Sequence, residues 1–189
     1  MTMAPVTTVA NDVFGPLIRA NELHPDVARF HLSRESTRGK GVFVVERGSG
    51  LSNIVATALR LPRAGNAVQV SLGICRLADG EIWCRTFDGL PVTTTHSLRS
   101  GQLVEEVGSV ALRLRVTTKS SNLMVGLVRV DLVVLGHHIP MPARLSFRIE
   151  ASVAAGPDPD TLHVRVHIWS PILGRLVRYE GDLYLEGER

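Results

Sequence analysis

The chain has 189 residues, of which 44% are hydrophobic and 21% are charged, and its formal net charge is +3. This composition predicts one globular domain and excludes disordered and collagen-like chains, because enough apolar surface is present to offset the entropy of ordering. No apolar run approaches the roughly 18 residues of a membrane span, and no basic region followed by an apolar core opens the sequence. We therefore expect a cytoplasmic protein with no membrane span.

The residue pattern does not indicate nucleic acid, metal or cofactor binding. Arginines are spread along the chain, and aromatic residues that could stack on bases make up only 5% of it. His163 and His167 share one side of a predicted strand, but residues four apart on a strand lie about 13 Å apart, too far for chelation. No cysteine pair, phosphate loop, dinucleotide fingerprint or nucleophile elbow has the required spacing.

The first third of the chain is predicted to be partly helical. Apolar residues recur at helical intervals over 12–20 and over 25–32, where the apolar face would hold Val27, Phe30 and His31. Leu51, Ile54 and Leu59 predict a further short helix that ends before Pro62 and lies against an apolar surface. Two or three short helices near the N-terminus are therefore expected.

From Ala67 onward the apolar period changes to two, with turn residues about every ten positions. This pattern predicts an antiparallel meander rather than alternating strands and helices. About ten strands are expected, more than a flat sheet holds comfortably, so we predict a lipocalin-like β-barrel or half-barrel. A two-sheet sandwich is the alternative. We expect residues 1–38 to form a helical segment that packs on a barrel domain of residues 39–189.

Two hairpins can be aligned from sequence. A two-residue turn at Asp79-Gly80 places Cys75 opposite Cys84, where we expect two buried thiols rather than a disulfide in a reducing compartment. A turn at Ser120-Ser121 places Val116 opposite Val125, a branched pair that stabilises a sheet.

One face of the first hairpin carries Trp83, Arg85 and Phe87 among aliphatic residues. If this face points inward, the Arg85 guanidinium lies in an apolar cavity and must be paired or must await an anionic ligand. If it points outward, Trp83 merely stacks on an arginine. The sequence leaves both orientations open.

Three more polar residues lie on the apolar sides of predicted strands, namely Tyr179, Glu105 and His96. Each is a candidate acid or base, and each could equally be a hydrogen-bonded core group. Together with Arg85 they form the predicted catalytic set. The predicted ligand-contacting wall comprises Trp83, Phe87, Met124, Leu114 and Phe147.

Several motifs together resemble a known bacterial family. They are RGSG at 47–50, LRLP at 59–62, EIWCRTFDG at 81–89, LVEEVG at 103–108 and PILGRLVRYEG at 171–181. On these motifs the chain resembles the domain-of-unknown-function 4166 family, whose members occur alone or joined to Rossmann-type oxidoreductase domains. Ser109 stands where the family favours proline. The resemblance supports the predicted barrel fold and draws attention to Trp83, Arg85 and Tyr179, but it implies no activity.

The sequence favours a β-barrel that binds an apolar, partly anionic small molecule, such as a polyketide or isoprenoid intermediate of secondary metabolism. A shaped pocket could catalyse a cyclisation or isomerisation without a cofactor, because orientation alone can remove several kcal/mol from a barrier. The alternative is a non-catalytic carrier, or a docking module for a separate oxidoreductase. A second copy of the chain is another partner that this interpretation allows.

Overall fold

The computed structural model describes residues 13–33 and 36–186. Within them the chain forms two short α-helices, one 3-10 turn at Ala20–Glu22 and eleven strands. The helices are α1 (Pro25–Leu32) and α2 (Leu51–Ala58). The strands are β1 (Thr37–Arg47), β2 (Gly65–Leu77), β3 (Gly80–Phe87), β4 (Leu90–Arg99), β5 (Gln102–Val107), β6 (Val110–Lys119), β7 (Asn122–Val134), β8 (His137–Pro140), β9 (Arg148–Ala155), β10 (Thr161–Ser170) and β11 (Gly174–Glu186).

Ten of these strands form a closed antiparallel barrel. Neighbours pair in the order β1 to β7, then β9, β10 and β11, and β11 returns to pair with β1. Within the described residues β8 pairs only with the end of β7 and lies outside the ring. The predicted barrel is confirmed. The sandwich alternative is wrong, because the continuous pairing leaves no gap at which two sheets could separate.

The barrel has two different ends. At the closed end, residues 13–32 pack against the core near the turns 78–79, 100–101, 120–121 and 156–160. The open end carries the connections 48–64, 88–89, 108–109, 135–147 and 171–173.

Helix α1 covers the closed end. Its buried face holds Val27, Phe30 and His31, as the helical spacing predicts. The His24 side chain caps its first turn, and Pro25 occupies the first helical position, where a missing N–H costs nothing. Arg76 on β2 donates a hydrogen bond to the Phe30 carbonyl at 3.1 Å, which joins the helix to the wall.

The other predicted N-terminal helix is wrong over its described part. Residues 13–19 form turns, with Leu17 and Ile18 both donating backbone hydrogen bonds to the Phe14 carbonyl. Gly15 and Pro16 explain this, because glycine weakens a helix and proline supplies no donor. The beginning of the predicted helix, at residue 12, lies outside the described residues.

Helix α2 is present, but its orientation differs from the prediction. Leu51 and Ile54 are 62% and 65% exposed, whereas Ser52 and Ala56 are buried. The helix lies so close to the strands that a Cβ on Gly48 would be 2.2 Å from Ser52 Oγ. Only small side chains fit at that distance, so the larger aliphatic residues remain in solvent.

The first hairpin pairs two residues away from the predicted register. Leu77 pairs with Gly80 and Cys75 with Ile82, so the turn is Ala78-Asp79 and the two cysteines are not opposite each other. Gly80 does not have the positive φ that the predicted turn needs. It is a strand residue, at which a Cβ would lie 2.3 Å from the His96 carbonyl oxygen. Both cysteines are exposed, so the expectation of buried thiols is also wrong.

The second hairpin is confirmed. Val116 pairs with Val125 and Leu114 with Leu127. Ser120 and Ser121 have φ values of 50° and 64°, the left-handed conformation that a tight two-residue hairpin requires.

Candidate functional site

A cavity of about 260 Å³ lies inside the barrel. Its lining runs from Phe14, Phe30 and His31 at the closed end to the segment 59–62 at the open end. Most of the wall between them is aliphatic or aromatic, which makes this an apolar chamber with few polar groups.

Arg85 points into this cavity, which settles the orientation that the sequence left open. Its guanidinium carbon lies 4.9 Å from the centre of the Trp83 ring. Arg85 Nη1 lies 3.4 Å from Thr94 Oγ1 and 3.3 Å from Glu105 Oε1. The guanidinium is therefore paired with a carboxylate inside the barrel, as a charge in an apolar setting must be.

Glu105 is shared between two basic side chains. It faces His96 directly across β4 and β5, and His96 Nε2 lies 3.3 Å from Glu105 Oε1. Burial would raise the pKa of the Glu105 carboxyl, but His96 and Arg85 outweigh burial and hold this pKa well below its usual range. Glu105 is therefore ionised at neutral pH and acts as a hydrogen-bond acceptor.

Tyr179 contributes a protonated phenol to the same cavity. Burial raises its pKa, and Arg85 and Glu105 are close enough to act on this pKa in opposite directions. The ring packs on Phe87 and Phe43, with centroid distances of 5.4 and 6.2 Å. A phenol that stays protonated and is held by aromatic neighbours is a fixed hydrogen-bond donor.

His31 is a cavity residue that was not among the predicted site residues. It is 2% exposed, and neither ring nitrogen has a hydrogen-bond partner among the described residues. Burial, followed by the nearby Arg76 and His96, lowers the pKa of His31 from 6.5 to about 3. Its helical spacing from Val27 predicted burial against the barrel, but nothing in the sequence indicates that it reaches the cavity.

Glu81 is a second buried residue that was not among the predicted site residues. It is fully buried, pairs with Arg76, and accepts a hydrogen bond from Trp83 Nε1 at 2.8 Å. Glu81 shares the inward face with Trp83, since the two are separated by one residue. It anchors the indole ring that forms part of the cavity wall.

Eight of the nine predicted site residues line the cavity: Arg85, Tyr179, Glu105, His96, Trp83, Phe87, Leu114 and Phe147. Met124 does not. Its neighbours Leu123 and Val125 line the interior, so alternation places Met124 on the outer surface, in a depression beside Arg165 and His167. The expectation that Met124 shapes the cavity wall is wrong.

Groups of three or more metal-binding side chains are absent from the described residues. His163 bonds instead to Asp182 and Glu180, at 2.8 and 3.2 Å. None of the described helices is long and apolar enough to cross a membrane.

The comparisons with known proteins agree with the resemblance seen in the sequence. The chain matches one family model, described as Domain of unknown function (DUF4166), over residues 23–183. No curated protein and no solved structure matches it. The family match begins before α1 and extends into β11, so it spans nearly the whole barrel. The chain belongs to the DUF4166 family.

Proposed function

We propose that the barrel binds an apolar small molecule carrying one anionic or hydrogen-bond-accepting oxygen, and catalyses its cyclisation or isomerisation without a cofactor. The observation behind this proposal is that four ionisable side chains meet in the lining of one apolar cavity, namely Arg85, Glu105, His96 and Tyr179. Such convergence of polar groups in an apolar pocket is typical of a ligand site. A polyketide or isoprenoid intermediate has the matching chemistry.

The size of the cavity limits the ligand. Its 260 Å³ is slightly below the roughly 300 Å³ at which ligand pockets usually begin. The enclosed space therefore suits a small ligand, or the reactive part of a longer one whose apolar remainder leaves through the open end. Arg85, Glu105 and His96 each lie at least two residues in from the ends of their strands, so the reactive part would lie within the barrel.

The cavity side chains include both a candidate base and hydrogen-bond donors, which are the groups that an isomerisation needs. A base takes a proton from a carbon next to a carbonyl, the electron pair moves to the carbonyl oxygen, and the proton returns to a different carbon. Arg85 and the Tyr179 phenol would stabilise the oxygen as its charge develops. His96 would be the base, because Glu105 lies at its Nε2 and its Nδ1 has no hydrogen-bond partner among the described residues.

A non-catalytic carrier is the second candidate. It is favoured by the pairing of Arg85 with Glu105, which already neutralises the guanidinium when no ligand is bound. A carrier would hold the same apolar ligand but would not convert it. An oxidoreductase or a second copy of the chain would then be the proposed recipient.

The experiment is to purify the full chain, extract any bound molecule, and identify it by mass spectrometry. Arg85→Met should lose this molecule, whereas Arg115→Met, which changes an exposed arginine on the outside of β6, should keep it. Arg85→Met leaves Glu105 without one partner, so Arg85→Met/Glu105→Leu is needed as a variant without the unpaired carboxylate. Retention of the molecule by both Arg85 variants would contradict the proposed role of Arg85.

Blocking the cavity provides an independent test. Val92 lines the cavity beside Arg85, whereas Thr93 is exposed on the outer surface. Val92→Phe should reduce ligand binding at least tenfold by filling space, and Thr93→Phe should not. Equal binding by the two variants would place the ligand outside the barrel. Incubation of the bound molecule with fresh protein then separates the candidates, since only an isomerase or cyclase changes its structure.

A further inference from the structure

Exposed apolar side chains are concentrated at the open end of the barrel. Of the sixteen large apolar side chains that are exposed among the described residues, ten lie in its connections or in the strand ends beside them. They are Leu51, Ile54, Leu59, Leu90, Leu132, Val134, Leu135, Ile139, Leu145 and Ile172. Such a concentration on one side of a protein indicates an interaction surface.

These side chains form a ring rather than a groove. They come from four separate connections around the cavity mouth, and the most exposed is Leu135, at 95%, in the turn between β7 and β8. The mouth itself is lined by Leu59 to Pro62 and by the Val107 and Val110 side chains. The apolar ring therefore surrounds the route by which a ligand would enter.

The charge at this end is mainly positive. The segments 48–64, 132–148 and 170–175 contain no aspartate or glutamate, but they contain five arginines, namely Arg60, Arg63, Arg144, Arg148 and Arg175. Three acidic side chains lie nearby: Glu46 pairs with Arg175, Asp88 accepts a hydrogen bond from the Gln69 N–H, and Glu150 lies on β9 two residues from Arg148.

The closed end differs in both respects. Its turns and its covering segment carry both signs of charge, because Glu22, Asp26 and Asp160 lie beside Arg19 and Arg29, and Asp79 and Asp158 are also present. Three of the sixteen exposed large apolar residues, namely Leu77, Leu98 and Tyr184, lie at the nearby ends of the described strands. Among the described residues, the barrel is therefore polarised along its axis, because most of the exposed apolar side chains and the excess of arginine lie at the mouth.

We propose that the open end docks onto the surface of an anionic phospholipid bilayer. Separate loops tipped with aliphatic side chains can enter the headgroup layer individually, whereas a single protein partner would need a matching cavity for each tip. The exposed arginines then lie beside the lipid phosphates, which attract basic residues. This docking goes beyond the proposed reaction and requires no turnover, but it would bring the cavity mouth next to an apolar phase in which an apolar ligand dissolves.

The experiment is flotation of the full chain with vesicles of equal parts phosphatidylcholine and phosphatidylglycerol, and with vesicles of phosphatidylcholine alone. The chain should float with the anionic vesicles only. Arg60→Gln/Arg63→Gln should weaken this binding by roughly fivefold for each arginine. Arg115→Gln, on the barrel wall, is the matched control and should bind as the unchanged protein does.

The apolar contribution is tested with Ile54→Gln and Leu135→Asn, both at exposed positions. Asparagine suits position 135 because Leu135 has a φ of 50°. Together these changes should abolish flotation, whereas Val42→Thr, at a residue of the barrel wall that is 48% exposed, should not. The proposal is overturned if the unchanged protein does not float with anionic vesicles. It is also overturned if the control variants Val42→Thr and Arg115→Gln lose as much flotation as the variants at the open end. A lipid-free dimer that the double variant dissociates would assign this end to a second copy instead.

Discussion

His96 and Glu105 face each other across β4 and β5, and the Glu105 oxygen that lies 3.3 Å from His96 Nε2 also lies 3.3 Å from Arg85 Nη1. One carboxylate thus contacts both a guanidinium and an imidazole inside an apolar barrel. Arg85 and Glu105 are only 20% and 17% exposed, so solvent screens their interaction weakly. The energies of the two residues must therefore be coupled.

Glu105→Leu should lower the free energy of unfolding by about 3–5 kcal/mol, because it leaves the Arg85 charge in the cavity without a carboxylate. Arg85→Met/Glu105→Leu should cost less than the two single changes added together. Urea unfolding of the four proteins measures this coupling. The exposed pair Arg99 and Glu106 is the control, with a coupling below about 1 kcal/mol. Additive effects at Arg85 and Glu105 would show that the two groups are independent.

His31 should make the fold sensitive to mild acid. Burial lowers the pKa of His31 from 6.5 to about 3. Between these pH values His31 is therefore protonated in the unfolded chain and neutral in the folded chain. The stability that depends on neutral His31 is complete above pH 6.5 and is lost as the pH falls from 6.5 toward 3. The slope from this group rises to about 1.4 kcal/mol per pH unit once the pH is well below 6.5.

Urea unfolding between pH 6.5 and 5 tests this slope, above the range in which carboxylates dominate the titration. His31→Phe fills a similar volume without titrating and should flatten the slope by the contribution of one histidine. His24→Gln, at a histidine whose side chain is 46% exposed, should leave the slope nearly unchanged. An identical slope in the His31→Phe protein would show that His31 titrates normally.

Glu81 should be required for the closed end of the barrel. Glu81→Gln removes the charge that compensates Arg76 in the core, and it should destabilise the fold by about 3–5 kcal/mol. The emission of Trp83 should change as well, because its indole N–H bonds to Glu81. Glu106→Gln, at a surface ion pair, is the matched change and should cost less than about 1 kcal/mol. Equal losses of stability in the Glu81→Gln and Glu106→Gln proteins would mean that the buried Arg76 charge does not need the Glu81 carboxylate.

Both cysteines should react as free thiols in the folded protein. Cys75 pairs with Ile82 and Cys84 with Gly73, so the cysteines are diagonal neighbours on the outer face. Such neighbours lie about 7–8 Å apart, beyond the usual Cα separation in a disulfide. A thiol reagent should modify both residues without denaturant, and mild oxidation should not join them within one chain. Loss of two hydrogens from the monomer mass would contradict this register.

The sequence predicted which residues share a face better than it predicted their partners. The turn of the first hairpin was misplaced, which moved the register by two residues, but a shift of two keeps every side chain on its own side of the sheet. Arg85 and Trp83 were therefore grouped correctly. Whether that group faced inward depended on closure between β1 and β11, a contact between distant parts of the chain that local periodicity does not contain.

The errors at Met124 and α2 have local causes. Leu123, Met124 and Val125 are all apolar, so the pattern of two does not say which of them points inward. Leu51 and Ile54 form an apolar helical face, but the close approach of Gly48 to Ser52 decided which face meets the barrel. The spacing of apolar residues in the sequence predicts an apolar helix face. In the folded protein, the short distance between the helix and strand backbones allows only small side chains at their contact.

Closure of the ring also limits how this protein can associate through its backbone. A sheet grows by adding chains along an unpaired edge, and the described barrel offers such an edge mainly at β8. That strand has only four residues and ends at Pro140, which cannot donate a backbone hydrogen bond. Polymerisation by strand addition is thereby disfavoured, even though strands make up most of the described residues.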